Sequence, residues 1–345
     1  MRAESEYRLT AQVKIHGWSC KLNSNNLENL LKMAGLSGNI EDAAIIPVPD
    51  SDLLLVKSID IFTPIVDEPE IMGEIAACNV TNDIFAMNAP DVSGILVFLA
   101  IKTDTPVKIA EGILKGIKSF MEKKVNSQIV GGHTIYCEWP LIGGEASGFV
   151  KKGEIIRKSG VKKGDKLILT KPIGLQGVMA AYRILKETPE MLAQYSKKEI
   201  KDSINFAIQL MTTSNQKVVK VIHSFKDFSF IHAMTDVTGF GLAGHTREML
   251  QNSTLSATIE KVPSIKLSKE LSNELGYAFD NCCSHETAGG MLMAVDSKKV
   301  EDFTNALKTN GITNWIVGKI DKAQPELVKI SDKIENVEIS KFNVG

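Results

Sequence analysis

The sequence predicts an α/β (α+β) protein of two domains. Its 345 residues suggest about two domains at roughly 150 residues each, and 43% apolar with 23% charged residues is typical of a globular chain. Short β-rich runs alternate with stretches of 3.6-residue periodicity in both halves, which a polar break at Lys151–Glu154 separates. We therefore expect a mobile, catalytic arm over residues 1–22, an N-terminal domain over 23–155 and a C-terminal domain over 156–345.

The elements follow from these patterns. In the first half we expect strands at 43–48, 53–59, 94–101, 128–130 and 141–150, and helices at 71–87 and 107–123. In the second half we expect strands at 166–170, 229–233, 256–260, 290–295 and 314–318. Helices are expected there at 175–187, 197–222, 241–251 and 298–309.

Charge and composition exclude several classes of protein. Forty Lys and Arg against 41 Asp and Glu give a net charge of -1, which excludes a basic nucleic-acid clamp. The longest apolar stretch, Gly94–Ile101, is far shorter than the roughly 18 residues of a membrane span, and the N-terminus has no apolar signal segment. Five cysteines without a C-x-x-C pair indicate neither a disulfide framework nor a zinc ribbon. We expect a reduced, soluble, cytoplasmic protein with no nucleic-acid or membrane partner.

One segment matches the pattern of a dinucleotide-binding motif, but its sequence context does not. Gly239–Gly244 fits the G-x-G-x-x-G pattern, and Glu260 follows about 20 residues later, as dinucleotide binding requires. Five residues separate the preceding strand from Gly239, however, whereas the fingerprint needs its first glycine in the turn itself. The signal is weak, and a dehydrogenase is the last of the alternatives.

Four aspartates lie beside small or apolar residues: Asp42, Asp60, Asp83 and Asp236. Any one of them alone is more often a helix cap or a surface ion-pair partner. Taken together, they favour converging carboxylates, because a buried carboxylate is unfavourable unless it is paired or bound to metal. Such oxygens suit Mg²⁺, which commonly bridges to substrate phosphates.

Two further segments are candidates for phosphate contacts. Gly131–Thr134 follows a predicted strand and is either a plain tight turn or a place where the backbone approaches a ligand. In His16–Lys21, a cysteine precedes a lysine, so that Cys20 is a candidate nucleophile. Lys21 is either a solvated side chain or a cation that folds over a polyphosphate.

The longest distinctive stretches, in order, are Gly17–Lys21, Asp60–Asp67, Asn82–Met87, Gly131–Thr134, Leu169–Gly174 and Ala233–His245. Together they resemble selenophosphate synthetase (selenide, water dikinase), a family of the aminoimidazole ribonucleotide synthetase-like superfamily. The resemblance implies two α/β domains of that fold, with ATP bound mainly by the N-terminal domain, and a homodimer. It implies conversion of ATP, selenide and water to selenophosphate, AMP and phosphate, with Mg²⁺ as cofactor and K⁺ as a candidate monovalent ion.

The resemblance also assigns residues. It places Mg²⁺ at Asp42, Asp83 and Asp236, and the catalytic positions at Trp18 and Lys21. It places ATP contacts at Lys21, Asn39, Ile40, Glu41, Asp60, Asp83, Gly132, His133 and Thr134.

Two departures from the family pattern affect the expected chemistry. Trp18 stands where the family usually has cysteine or selenocysteine, and an indole is neither a nucleophile nor a selenium carrier. Either Trp18 represents a UGA codon for selenocysteine, or Cys20 handles selenium instead. The segment Ser284–Gly290 corresponds to the family's Asp-Pro-Gln-Thr-Ser-Gly-Gly loop, and here Ser284, His285 and Glu286 stand in place of Asp, Pro and Gln. The alternatives are a diverged paralogue that binds ATP without selenide chemistry, and another kinase or synthetase of the superfamily.

Overall fold

Two β-sheets, one in each half of the chain, organise the computed structural model, which describes residues 7–22, 24–36 and 41–340. The elements of the first half are α1 (Ser24–Met33), β1 (Ala44–Pro47), β2 (Leu53–Phe62), α2 (Pro69–Ala86), β3 (Val92–Ile101), α3 (Val107–Lys124), β4 (Ile129–Tyr136) and β5 (Leu141–Lys151). Those of the second half are β6 (Lys166–Leu169), α4 (Leu175–Glu187), α5 (Lys197–Met211), α6 (Gln216–His223), β7 (Ile231–Asp236), α7 (Gly241–Met249), β8 (Ser256–Ile265), α8 (Ser268–Glu274), β9 (Met291–Val295), α9 (Val300–Thr309), β10 (Trp315–Asp321) and β11 (Val328–Ile339).

Both sheets are mixed. The first has the strand order β1-β2-β5-β3-β4 and is antiparallel except for the β3–β4 pair. The second has the order β11-β8-β10-β6-β9-β7 and is antiparallel except for the β11–β8 pair. The domain boundary expected at residues 155/156 falls in the connection between β5 of the first sheet and β6 of the second.

Helix α2 is the central element because it is buried on all sides. It begins at Pro69, whose missing N–H would have no helical partner there. Apolar residues surround the helix, as expected for a helix enclosed by protein. Its polar residues Asn79, Asn82 and Asp83 therefore lie inside the molecule, where each needs a partner.

Helix α3 shows the opposite pattern and packs on α2 through one face. Its apolar residues, among them Ile113, Ile117 and Phe120, are buried, while charged residues cover the other side. The two helices approach closely at glycines. A Cβ atom added at Gly116 would lie 1.9 Å from the carbonyl oxygen of Glu70, so only glycine fits this crossing.

The single helix expected at 197–222 is wrong: the structure has α5 and α6, separated by residues 212–215. The hydroxyl of Thr213 donates back to the carbonyl oxygen of Gln209, which offers the backbone an alternative to the helix. The buried Lys171 ammonium donates to the carbonyl oxygens of Leu210 and Thr213, at 3.0 and 2.7 Å, and so satisfies the end of α5. Periodicity could not reveal this break, because both helices keep the same apolar spacing.

Two strands also differ from expectation. The strand expected at 128–130 extends to Tyr136, so Gly131–Thr134 is part of β4 and not a turn. A Cβ atom at Gly132 would lie 2.3 Å from the carbonyl oxygen of Val97, which explains this glycine by close strand pairing. Strand β11 was not expected, because its exposed edge carries many charged residues. Across the described residues, none of the helices has the length and apolarity needed to cross a membrane.

The α2–α3 crossing yields a stability prediction. Gly116→Ala should lower the free energy of unfolding by roughly 1–3 kcal/mol, because the methyl group forces the helices apart. Gly153→Ala is the control, since a Cβ atom there meets no atom within 4 Å. Urea unfolding followed by circular dichroism measures both variants. Equal midpoints for the two would contradict the tight crossing.

Candidate functional site

The N-terminal segment, residues 7–22, lies against the body of the protein. Leu9 and Trp18 are buried, and Gly17 donates its backbone N–H to the carbonyl oxygen of Thr63 at 3.2 Å. The segment therefore packs more extensively than its polar sequence suggests. The mobility expected of this arm stays a prediction.

The Trp18 side chain packs between the rest of the arm and helix α2. Its ring stacks on Phe62 with centroids 5.6 Å apart, and its Nε1–H donates to Oδ1 of Asn79 at 2.7 Å. Asn79 also accepts the backbone N–H of Ala288 at 2.9 Å and donates its Nδ2–H to Oδ2 of Asp60 at 2.8 Å. One buried amide thus joins the arm, the second half of the chain and a candidate site carboxylate.

Lys21 points from the arm towards the candidate site. Its ammonium nitrogen lies 4.9 Å from the ring centroid of Trp18 and 4.7 Å from that of Phe240, so two aromatic faces hold the cation. Burial raises the pKa values of Asp60, Asp83 and Asp236, and the charge of Lys21 offsets part of that rise at each of them. The predicted catalytic and ATP-binding role of Lys21 is therefore compatible with its position.

Four predicted site aspartates come from separate parts of the chain and influence one another through their charges, while their metal and ATP roles stay a prediction. Asp60 lies on β2, Asp83 on α2, Asp236 at the end of β7 and Asp42 just before β1. The hydroxyl of Ser58 donates to Oδ2 of Asp83. The site thus lies between the two halves of the molecule.

The carboxylates repel one another. Burial, and then the charge of Asp42, raises the pKa of Asp83 to about 7. Burial, and then the charge of Asp83, raises the pKa values of Asp60 and Asp236 well above the ordinary range. A group of acids in this state strongly favours a cation or a proton among them.

Lys158 is a site residue that the sequence did not reveal. Its ammonium group is buried and lies 3.1 Å from Oδ1 of Asp42 and 3.5 Å from Oε1 of Glu248. Burial lowers the pKa of Lys158, but the charges of Asp42 and Glu248 raise it by a larger amount. The net pKa therefore lies above the ordinary value for lysine. The lysine lies in the polar connection between the two sheets, where a solvated side chain is the usual expectation.

The predicted ATP-contact segment is described only in part. Asn39 and Ile40 lie outside the described residues. The Glu41 carboxylate accepts the backbone N–H of Lys158 at 2.9 Å and contacts the Arg157 guanidinium at 3.2 Å. Glu41 is thus fixed beside the connection between the halves, next to Asp42.

Gly132, His133 and Thr134 lie away from the carboxylates. All three are exposed on β4, at one edge of the first sheet. Strands β5 and β3 separate β4 from β2, so Gly132 is roughly 14 Å from the strand of Asp60 at the usual strand spacing. Their predicted contact with ATP stays a prediction.

The glycines of the G-x-G-x-x-G pattern serve close packing. A Cβ atom at Gly239 would lie 3.0 Å from Cδ of Lys21, and one at Gly241 would lie 2.7 Å from the carbonyl oxygens of Cys282 and Ser284. Gly241 also has φ +67°, a left-handed conformation that favours glycine. These contacts explain the motif without a dinucleotide.

The loop Ser284–Gly290, called the departing loop because it departs from the family pattern, has its own structural role. The buried Glu286 carboxylate accepts the backbone N–H groups of Gly174 and Leu175, at 2.7 and 3.0 Å, at the start of α4. Burial nevertheless raises the pKa of Glu286 to about 8, although these two N–H groups lower it. His285 contacts the arm through Nδ1, 3.3 Å from the carbonyl oxygen of Trp18. The departures at Trp18 and in this loop are therefore in direct contact.

The carboxylates fit Mg²⁺ held jointly with a polyphosphate. Within the described residues, no group of three or more His, Cys, Asp or Glu side chains is arranged to hold a metal ion. Two buried oxygens, Oδ2 of Asp42 and Oδ2 of Asp236, have no hydrogen-bond partner among the described residues. Mg²⁺ commonly takes only one or two carboxylates and completes its shell with water and phosphate oxygens. The donor set suits that mode of binding.

Comparisons with known proteins identify the fold and the family. Two family models match the chain: AIR synthase related protein, N-terminal domain, over residues 40–150, and its C-terminal domain over residues 162–330. Among solved structures, AaThiL complexed with AMPPCP and TMP has a TM-score of 0.69 at 17% identity and covers 91% of this chain and 94% of its own. The HypE–HypF complex gives a TM-score of 0.67 at 19% identity, over 88% of this chain and 95% of the other. The expected aminoimidazole ribonucleotide synthetase-like fold is confirmed.

Curated relatives cover nearly the whole chain. A selenide, water dikinase of Methanocaldococcus jannaschii is 37% identical, over 98% of this chain and 99% of that relative. A selenide, water dikinase of Methanococcus maripaludis is 38% identical, over 95% of this chain and 100% of that relative. The chain therefore belongs to the selenide, water dikinase family of AIR synthase related proteins.

Proposed function

We propose that this chain converts ATP, selenide and water to selenophosphate, AMP and phosphate. The observation that carries the proposal is the meeting of Lys21 with buried carboxylates from both halves of the molecule. Buried acids that repel one another, beside the Lys21 cation of the arm, are suited to a ligand that combines metal charge with phosphate charge. Membership of the selenide, water dikinase family supports the same reaction.

Each residue of the site then has a definable task. Mg²⁺, when bound, would offset the negative charge on the transferred phosphoryl group. Asp42 and Asp236 would hold it through their unpartnered oxygens, with Asp83 oriented by the hydroxyl of Ser58. Lys158 keeps Asp42 in place through its ion pair.

Lys21 would neutralise phosphate charge from the side of the arm. Its two aromatic neighbours fix the ammonium group without pairing it, so its donors remain available to a phosphate. Asn79 holds Trp18 and Asp60 in one arrangement, which couples the arm to the carboxylates. Because the Trp18 indole cannot carry selenium, selenide must react as the dissolved anion or through Cys20.

A diverged, ATP-binding paralogue without selenide chemistry is the second candidate. The buried Trp18 favours it, because the ring fills the position of the family's cysteine or selenocysteine. Selenide-dependent ATP hydrolysis separates the two candidates. The proposed enzyme shows it, and the paralogue does not.

We also propose that the protein forms a homodimer through the open face of the first sheet. Helices cover one face, while the other exposes apolar side chains, with Ile59 66% exposed and Leu96 and Phe149 also accessible. The strand register places Ile59 opposite Glu145, and Glu145 opposite Leu96, in one row across the sheet. The row therefore has one carboxylate between two exposed apolar side chains, and several exposed apolar side chains on one sheet face favour an interface.

A double variant tests the dimer. Ile59→Glu with Leu96→Glu should give a monomer in sedimentation velocity, because two buried charges per subunit oppose association. Met191→Glu is the control, since Met191 is an exposed apolar residue outside this sheet. A native protein that sediments as a monomer, or a double variant that remains a dimer, would contradict this interface.

All five cysteines are free thiols in the structure, which supports a cytoplasmic location. That location stays a proposal, as do Mg²⁺ and K⁺.

Anaerobic ³¹P NMR of the protein with Mg²⁺, ATP and selenide tests the reaction. We expect a selenophosphate resonance together with AMP. In Lys21→Met the reaction should be about 100-fold slower, because a cation that neutralises phosphate charge is lost. The Lys21→Met variant should lose far more activity than thermal stability, which separates chemistry from folding. Replacing K⁺ by Na⁺ in the same assay tests the monovalent ion.

If ATP stays intact, the measurement is repeated with Trp18→Cys. Recovery of selenophosphate would identify Trp18 as a substituted nucleophile. ATP that remains intact in both proteins would contradict the proposed function and favour the binding paralogue.

A further inference from the structure

A cavity of about 230 Å³ lies behind Trp18, on the side of the arm away from α2. The arm forms one wall and helix α4 another, and Tyr277 with the departing loop closes it. The cavity is lined by basic side chains and by no carboxylate. Its basic residues are Lys14, His16, Arg183 and His285. A cleft lined by one sign of charge concentrates ions of the opposite sign.

Arg183 is the fixed charge of this cavity. It is half-buried on α4, and its guanidinium donates to the carbonyl oxygen of Met179 at 3.1 Å. Burial lowers the pKa of Arg183, and its hydrogen bond with Tyr277 and the charge of Glu187, four residues along the helix, raise it by less. Glu187 forms its ion pair with Arg8, at 3.1 Å, and Arg183 has no carboxylate within ion-pair distance among the described residues. A guanidinium held in this way can take an anion beside it.

Two histidines add donors that can adapt to an anion. Nε2 of His16 lies 2.9 Å from the carbonyl oxygen of Thr10, and therefore carries the proton, which leaves Nδ1 available. Nδ1 of His285 lies 3.3 Å from the carbonyl oxygen of Trp18, which leaves Nε2 available. Each ring can thus accept a proton from an incoming acid or, once protonated, donate to an anion.

The remaining walls are apolar and select among anions. Ile65, Leu175, Met179 and the Trp18 ring line the cavity alongside the cationic groups. A strongly hydrated dianion such as phosphate would lose much of its solvation against these walls. A large, polarisable and weakly hydrated monoanion loses less, and it gains dispersion contacts with the thioether and the indole.

Trp18 separates the cavity from the carboxylates. It contributes to the cavity wall, while its ring lies 4.9 Å from the Lys21 ammonium nitrogen and stacks on Phe62. An anion held here would therefore be one side chain away from the cation that faces the carboxylates. We propose that this cavity binds hydrogenselenide next to the ATP site, an inference that rests on the proposed function.

Fluorescence quenching tests the proposal without turnover. A protein with Trp139→Phe and Trp315→Phe keeps Trp18 as its single tryptophan, and selenium, a heavy atom, quenches a ring that it contacts. Anaerobic titration with hydrogenselenide, without ATP, should quench Trp18 saturably. Arg183→Met should weaken the apparent affinity at least tenfold, whereas Arg183→Lys should retain most of it. Arg247→Met, which removes an exposed arginine outside the cavity, is the control.

Steady-state kinetics give an independent result. Arg183→Met should raise KM for selenide while KM for ATP stays unchanged. Quenching that does not saturate, or an Arg183→Met protein with unchanged affinity, would overturn the proposal. So would orthophosphate that competes with hydrogenselenide at equal or lower concentration.

These outcomes separate the cavity from the reaction. Saturable quenching that depends on Arg183, in a protein that makes no selenophosphate, would support the cavity and contradict the proposed function. Selenophosphate formation with an unchanged KM for selenide in Arg183→Met would contradict the cavity alone.

Discussion

The burial of several carboxylates that repel one another is the constraint on which the rest of the structure depends. At an effective dielectric constant near 20, two like charges 4 Å apart cost about 4 kcal/mol, which is a large part of a protein's net stability. Asp83, with a pKa raised to about 7, shows that the fold does not relieve this repulsion. Lys158 offsets part of it at Asp42, and Lys21 offsets part of it from the arm. The carboxylate charge that remains uncompensated would be neutralised by a ligand that combines a metal ion with phosphate.

The fold holds this arrangement through helix α2. Because protein surrounds the helix, its polar residues are directed at fixed partners and not at solvent. Asn79 is the clearest case, since its amide contacts Trp18, Ala288 and Asp60 at once. The arm, the second half of the chain and the carboxylates consequently share one buried junction, and a change at position 18 is transmitted to Asp60 through a single side chain.

The sequence predicted most of the fold for physical reasons, and it singled out acidic residues whose role in a site stays a prediction. Aspartates in apolar contexts are unfavourable unless they converge, so Asp42, Asp60, Asp83 and Asp236 could be identified without coordinates. Lys158 and Glu286 could not, because their burial depends on contacts with distant parts of the chain. The Gly131–Thr134 segment was open to two interpretations, a tight turn or a close backbone approach to a ligand, but it continues strand β4, where Gly132 allows close pairing with β3. The break between α5 and α6 depends on Lys171, which lies 39 residues from the carbonyl oxygen of Leu210 that it satisfies.

Thermal unfolding of Asp236→Asn at pH 8, with and without Mg²⁺ and ATP, tests the central claim most directly. The raised pKa of Asp236 means that its stabilising protonated form is lost as the pH rises, so an uncharged amide should melt higher than the native protein without ligand. A gain of about 2–4 °C per kcal/mol of relieved repulsion is expected, and it should shrink at pH 5. Mg²⁺ with ATP should then raise the melting temperature of the native protein clearly more than that of the variant. A variant that melts lower without ligand and gains the full shift with Mg²⁺ and ATP would contradict the account.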